Sequence, residues 1–140
     1  MKSKAPLALM EQLTMILVFA LAAALCLQLF VLSNTLSRDG ETRDQAVTAV
    51  QNAAESLKAN DGSFEALAAF HGGVLTETGW QIGYDDSWQS APVEQADFVV
   101  TAEPVVKDQP LLGSAVITAR GANGKQWFQI TVGWQEKSDE

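Results

Sequence analysis

The sequence predicts an α+β fold: a long N-terminal transmembrane helix continues into an amphipathic helix packed on an antiparallel sheet of about four strands. Three observations indicate this class. No charged residue lies between Gln12 and Ser37, apolar residues recur at helical spacing in Asp44–Lys58, and apolar and polar residues alternate after Val74. The 140 residues therefore divide into a short N-terminal segment 1–12, a transmembrane helix 13–36 and an α+β domain 37–140.

The apolar segment Leu13–Leu32 is long enough to cross a bilayer. It reads LTMILVFALAAALCLQLFVL, in which only Thr14 and Gln28 are polar. Twenty helical residues span about 30 Å, which matches the hydrocarbon core of a membrane. A cleaved secretory signal has a shorter apolar region, of about 7–15 residues, before a small-x-small site. A spanning anchor is therefore favoured over a cleaved signal or a buried core helix, with Cys26 and Gln28 as helix-packing positions.

The charge distribution orients this span. Lys2 and Lys4 precede it, whereas residues 38–140 contain seven Lys or Arg against sixteen Asp or Glu. Because the basic flank of a span stays in the cytoplasm, we expect a cell-membrane protein with a cytoplasmic N-terminus and an extracytoplasmic domain after Ser37. The net charge of −8 argues against a nucleic-acid partner, since phosphate contacts require clustered Lys and Arg.

The segment Asp44–Lys58 is predicted to form the amphipathic helix. Its apolar stripe, spaced by three, four and three residues, consists of Val47, Val50, Ala54 and Leu57. This spacing places them on one helical face, which requires a partner surface. Gly40 weakens a helix by about 1 kcal/mol relative to Ala, so a kink or short break is expected near Ser37–Glu41.

Turn residues are expected to end this helix and to mark the beginning and the end of a second one. Asn60–Gly62 stops the amphipathic helix, and Ser63 caps a short successor, Phe64–Phe70. The pair Gly72–Gly73 terminates the successor. His71 is expected in its last turn as a partly exposed residue favoured by the helix dipole, rather than as a ligand or general base.

Period-two alternation with β-branched and aromatic residues predicts short strands after Val74. The predicted strands are Val74–Thr78 continuing into Trp80–Tyr84, then Asp97–Glu103, Leu112–Arg120 and Gln126–Gln135. Gly121–Gly124 joins the last two as a hairpin. An antiparallel sheet of this kind hides one apolar face, and Asp44–Lys58 is the available cover.

Few residues suit catalysis or metal binding. The chain has one His and one Cys, and the motifs GxSxG, HExxH, GxGxxG and the P-loop do not occur. Asp85 and Asp86 are predicted turn residues, because a calcium site needs more oxygen ligands in a defined loop. We therefore expect no catalytic residue, no metal ligand, no cofactor and no enzymatic activity.

The N-terminus also resembles a known family. Ala5–Gln12 reads APLALMEQ, so Glu11 stands just before the long apolar helix, which an amphipathic helix and an antiparallel sheet follow. This arrangement resembles the type IV pilins and type II secretion pseudopilins, and the N-terminus is similar to that of pilin-like membrane proteins of Gram-positive anaerobes. The resemblance implies that the helix anchors the subunit in the membrane and packs in the core of a pilus or pseudopilus.

The position of Glu11 at the start of the apolar helix fits either an interfacial carboxylate that faces water near Lys4 or a partner for a positive charge of a neighbouring subunit. The resemblance implies the second, an assembly role, because the family's carboxylate at this place pairs with the N-terminal amine of a neighbouring subunit. It also implies two kinds of partner, the lipid bilayer and other pilin-like or secretion-system membrane subunits. Family prepilins are cut after a small residue, and counting back from Glu11 places Pro6 there, so processing stays open.

Two hypotheses for the function follow. The first is a pilin-like structural or accessory subunit of a secretion, competence or pilus system, acting by assembly rather than catalysis. The alternative is a single-pass membrane-anchored extracytoplasmic binding module that would use exposed aromatic rings. Its candidate residues are Trp80, Trp88, Trp127 and Trp134. Strand alternation buries such rings against a helix, so core packing is the expectation for the tryptophans.

Overall fold

The structure, a computed structural model, describes residues 4–106 and 108–136. Helix α1 spans Ala5–Ala59, and the next proline after Pro6 in the sequence is Pro92. Pro6 falls in the first turn, where its missing N–H would have no partner within the helix. Two compact units can be distinguished: the first ends at Gly40 and the second begins at Glu41, inside α1.

The predicted short break near Ser37–Glu41 is absent. Every residue of this stretch is helical, and a Cβ on Gly40 would meet nothing within 4 Å. The prediction of a short break was wrong because one exposed Gly costs only about 1 kcal/mol in a helix, which favourable residues on both sides can offset, whereas the kink stays a prediction.

The first unit contains the apolar part of α1. Its most apolar 18-residue window has a mean hydropathy of 2.7, and 0% of that window is buried inside the structure. A core helix of this chain is therefore excluded for this segment. Among the described residues, α1 is the one helix long and apolar enough to cross a membrane, which is compatible with a single-pass anchor.

In the second unit, α1 packs on the sheet through a slightly different stripe from the predicted one. The buried residues are Ala46, Val50, Ala53, Ala54 and Leu57. Val47 is only half-buried. The stripe is centred about one position earlier than predicted, because Ala46 and Ala53 pack closely and carry little apolar signal in the sequence.

The turn and the short helix after α1 form as the local sequence predicts. The Gly62 N–H donates to the Leu57 carbonyl oxygen at 2.8 Å, and Gly62 has φ of 82°, which favours glycine. Ser63 caps α2, Phe64–His71, by accepting a hydrogen bond from the Ala66 N–H at 3.2 Å. Both the stop and the cap are as predicted.

The second unit also contains one antiparallel sheet. Its strands are β1 (Val74–Leu75), β2 (Trp80–Tyr84), β3 (Ser90–Ala91), β4 (Phe98–Pro104), β5 (Leu112–Gly121) and β6 (Gln126–Gln135). The order is β1-β2-β4-β5-β6, and β3 pairs with β2. A short 3-10 helix, Val93–Gln95, lies between β3 and β4. The α+β class is thus confirmed, with five to six strands rather than four.

One predicted strand is in fact a hairpin. Val74–Thr78 was expected to continue into Trp80–Tyr84, but β1 pairs antiparallel with β2, with Leu75 opposite Trp80. The Thr76 N–H donates to the Gly79 carbonyl oxygen at 2.8 Å and closes the turn. A Cβ at Gly79 would overlap the Ala102 carbonyl oxygen of β4, so this position accepts only glycine.

The core lies between α1 and one face of the sheet. The strands contribute Trp80, Ile82, Val100, Ala102, Ala115, Ile117 and Ala119, and α2 contributes Leu67. Opposite residues on neighbouring strands share this face, as in the rows Ile82–Val100–Ala119 and Trp80–Ala102–Ile117. Among the described residues, six of the thirteen buried apolar residues are alanines, so small side chains form much of this core.

Candidate functional site

The apolar segment of α1 exposes large side chains along its length. Between Leu7 and Leu36 the large apolar residues are 55–76% exposed, with Phe19 at 76% and Leu32 at 55%. Soluble proteins seldom expose a continuous apolar surface of this size. This segment, residues 7–36, therefore needs a cover of lipid or of other helices.

Glu11 stands near the beginning of this surface. It is exposed, and Ala8, Gln12 and Met15 line a shallow hollow beside it. No ion pair joins it to another residue within 4–106 or 108–136. Lys4, one of the two predicted basic flanking residues, is exposed, and Lys2 lies outside the described residues. The carboxylate is thus available to a cation from another molecule.

Two polar side chains of the segment bond to their own helix. The Thr14 hydroxyl donates to the Met10 carbonyl oxygen at 2.8 Å, and the Thr35 hydroxyl donates to the Val31 carbonyl oxygen at 3.0 Å. Gln28 is exposed and makes no side-chain hydrogen bond to the described part of the chain. Cys26, also exposed, is a free thiol.

An aromatic cluster lies at the end of the sheet where β2 finishes and β4 begins. The Trp88 ring stacks on Phe98, with centroids 4.4 Å apart and planes 12° apart, and it also contacts Tyr84. Phe98 makes an edge contact with Trp127, whose centroid lies 6.4 Å away. Burial raises the pKa of the Tyr84 phenol above its usual value.

The four tryptophans have packing partners. Trp80 is 1% exposed and donates its indole N–H to the Gly72 carbonyl oxygen at 2.8 Å. Trp88, Trp127 and Trp134 are half-buried and pack against the core. The Lys125 ammonium lies 4.0 Å from the centroid of the Trp127 ring. Core packing, the expectation for the tryptophans, is confirmed for Trp80 and is partial for the other three.

Asp85 and Asp86 build the turn after β2, as predicted. The Asp85 carboxylate accepts from the backbone N–H groups of Ser87 and Gln89, both at 2.9 Å. Asp86 accepts from the Ser87 hydroxyl at 3.4 Å. Among residues 4–106 and 108–136, no group of three or more His, Cys, Asp or Glu is placed to hold a metal ion.

His71 has a partner that the sequence did not reveal. Its Nε2 lies 2.7 Å from the Ser56 Oγ, and both residues are half-buried. The hydrogen bond connects α2 to the last turns of α1, across fifteen positions of the chain. It fixes how the two helices meet, and no carboxylate bonds to the ring among the described residues.

A second exposed apolar set lies in the second unit. It comprises Phe70, Val74, Leu75, Val105, Val106, Leu111 and Leu112, which are 39–88% exposed. Phe70 lies in the last turn of α2, and the other six residues lie in β1, in the β4–β5 connection and at the beginning of β5. Strand β1, the end of β4 and the beginning of β5 are at the same end of the sheet, so the exposed apolar residues there favour a contact surface.

Comparison with known protein families, curated proteins and solved structures gave no match. The pilin resemblance therefore remains a prediction from the sequence.

Proposed function

We propose that this chain is a single-pass membrane-anchored, pilin-like or pseudopilin-like subunit, structural or accessory, of a secretion, competence or pilus system. It acts by assembly rather than by catalysis. The observation that carries the proposal is that α1 has two kinds of surface. Residues 7–36 expose apolar side chains throughout, whereas Ala46–Leu57 has a buried stripe packed on an antiparallel sheet.

The exposed segment supports the membrane anchor. Burial of apolar surface is favourable by about 25 cal/mol per Å², so some twenty exposed apolar side chains strongly favour lipid over water. The basic flank with Lys4 and the acidic balance of residues 38–140 support a cytoplasmic N-terminus and an extracytoplasmic domain.

Glu11 supports assembly. A single carboxylate near the membrane interface is tolerable in an isolated molecule, because water reaches it there. When helices of several subunits pack together, water is excluded and the carboxylate requires a cation from a neighbour. An N-terminal amine or a lysine of the next subunit would satisfy it. The exposed apolar set of the second unit supplies further contact area for such neighbours.

The alternative binding module has weaker support. Its aromatic rings would need free faces on which a ligand could stack. One face of Trp88 is covered by Phe98, and Lys125 lies over the ring of Trp127. Assembly through the exposed apolar surfaces therefore accounts for more of the molecule.

The test is cross-linking in membranes of the source cells, with an amine-reactive reagent and mass spectrometry of the adducts. Glu11→Gln should leave the chain resistant to carbonate extraction while its adducts with other membrane subunits decrease. Glu41→Gln, an exposed carboxylate on the same helix beyond the apolar segment, is the matched control. Unchanged adducts in Glu11→Gln would reject the assembly role.

Topology is tested separately. Protease added to intact spheroplasts should remove the domain after Ser37, and full protection would place that domain in the cytoplasm. Sequencing the mature N-terminus by mass spectrometry then identifies the amine closest to Glu11.

A further inference from the structure

We propose that two copies of this chain associate in the membrane through a stripe of α1 centred on Gln28. The inference rests on the membrane insertion proposed above. Its starting point is the position of Gln28, which lies four residues before the end of Leu13–Leu32 and thus about 6 Å inside the hydrocarbon core. An amide without a hydrogen-bond partner there makes insertion less favourable than an apolar side chain of similar size would.

Gln28 differs from the threonines of this helix in its hydrogen bonding. Thr14 and Thr35 donate to carbonyl oxygens of their own helix, at 2.8 and 3.0 Å. The Gln28 side chain has no such bond in the described structure. Its amide must therefore find both a donor and an acceptor outside its own helix.

A second copy of the chain supplies both. A primary amide donates and accepts, so two Gln28 side chains satisfy each other. Identical chains insert with the same orientation, and their helices are therefore parallel. The same residue then lies at the same depth in each copy, which brings Gln28 opposite Gln28 without any adjustment.

The residues around Gln28 form a suitable seam for parallel helices. Positions spaced alternately by three and four carry Thr14, Leu17, Leu21, Ala24, Gln28 and Val31. This is the seven-residue spacing of a left-handed helix pair. Thr14 and Gln28, the two polar residues of Leu13–Leu32, both belong to it. Ala24 lies next to Gln28 on the seam and lets the backbones approach closely enough for the amides to meet.

The native thiol provides an internal control for the face. Cys26 lies about 160° around the helix axis from Gln28, whereas Ala24 lies about 40° away. In the proposed pair, a thiol at position 24 faces its copy, and Cys26 faces lipid. The two positions differ by only two residues in depth, so both experience nearly the same membrane environment.

The experiment is oxidative cross-linking of the full chain in membranes with copper–phenanthroline. A variant combining Ala24→Cys with Cys26→Ser should form a disulfide dimer, and the native chain with Cys26 should form little. Adding Gln28→Leu should lower the dimer yield at position 24 by about three- to tenfold, as expected when the interhelical hydrogen bonds between the two amides are lost in a bilayer. Gln28→Asn, which keeps the amide, should retain most of the yield.

Each outcome is decisive. Equal dimer yields at positions 24 and 26, or a yield that Gln28→Leu leaves unchanged, would overturn the proposed pair. If the chain also resists carbonate extraction in that experiment, the membrane anchor is still supported. Extraction of the chain by carbonate would overturn the anchor and the pair together.

Discussion

The indole ring of Trp134 occupies the space where a Cβ on Gly113 would stand. The same ring atoms, Cε2, Cζ2 and Nε1, would also overlap a Cβ on Gly62, in the turn after α1. Gly113 is opposite Trp134 across β5 and β6. One indole therefore packs against both the sheet and the turn that ends the long helix, and both close contacts require glycine.

This relationship predicts that Gly113→Ala destabilises the domain by about 1–3 kcal/mol, because the methyl group must displace a packed ring. Gly133→Ala is the matched control. Its Cβ would lie 3.6 Å from the Gly113 carbonyl oxygen, an ordinary contact. Thermal unfolding of the full chain in detergent, followed by near-ultraviolet circular dichroism, measures both. Equal melting temperatures for the two variants would show that the ring moves aside freely.

The buried stripe of α1 predicts a large effect of charge. Val50 is 0% exposed, so Val50→Asp buries an unpaired carboxylate and should lower the free energy of unfolding by about 2–5 kcal/mol. Gln51→Asp places the same charge on the exposed side of the next position and should change little. Chemical denaturation of the two variants in detergent measures the difference in their free energies of unfolding. A similar midpoint for both would mean that this helix face is solvated.

The ring stack predicts energetic coupling between Trp88 and Phe98. Replacing each by Leu, singly and together, should give an interaction free energy of about 0.5–1.5 kcal/mol in a double-mutant cycle. Trp88 with Phe64 is the control pair, since no ring contact joins them among the described residues. Additive effects for Trp88 and Phe98 would show that the stacked geometry contributes no energy of its own.

Alkaline pH should destabilise the domain through Tyr84. Burial raises the pKa of this phenol above its usual value of 10.0 in the folded protein. The folded state then holds a proton that the unfolded state releases, so the free energy of unfolding is unaffected at neutral pH and falls as pH rises above about 10. The chain has one tyrosine, so the ultraviolet absorbance of tyrosinate reports this group directly.

Tyr84→Phe separates this effect from the titration of lysines. The variant keeps the ring and should lose stability less steeply above pH 10 than the parent chain. A tyrosinate titration centred at or below that of free tyrosine in the folded chain would contradict the burial argument.

The sequence predicted the features that depend on neighbouring residues. The helix stop at Asn60–Gly62, the Ser63 cap, the Asp85 turn and the strand Gln126–Gln135 follow from local turn chemistry and alternation, and each is present. Glu11 could likewise be placed at the start of the apolar helix. Its partner could not, because no residue within 4–106 or 108–136 bonds to its carboxylate.

Features that depend on distant residues were missed. Strand β3 has two residues, which is too few for a periodic signal, and it pairs with β2. The strand at Val74 was predicted, but the turn that pairs β1 with β2 was not. The hydrogen bond between Ser56 and His71 joins two helices, and the two residues are fifteen positions apart, so the sequence near either residue does not predict it. The phase of the α1 stripe was missed because Ala46 contributes close packing rather than hydrophobicity.

The small residues of the core leave this interior with little tolerance to a change of size in either direction. Ala46, Ala53, Ala54, Ala102, Ala115 and Ala119 are all at most 7% exposed. A larger side chain at any of these positions has to displace its packed neighbours, which costs about 1–3 kcal/mol. Trimming Leu57 or Ile117 to Ala leaves a cavity beside residues that have few atoms to fill it, which costs about 2–5 kcal/mol. The domain should therefore accept substitutions at its exposed positions far more readily than in this interior.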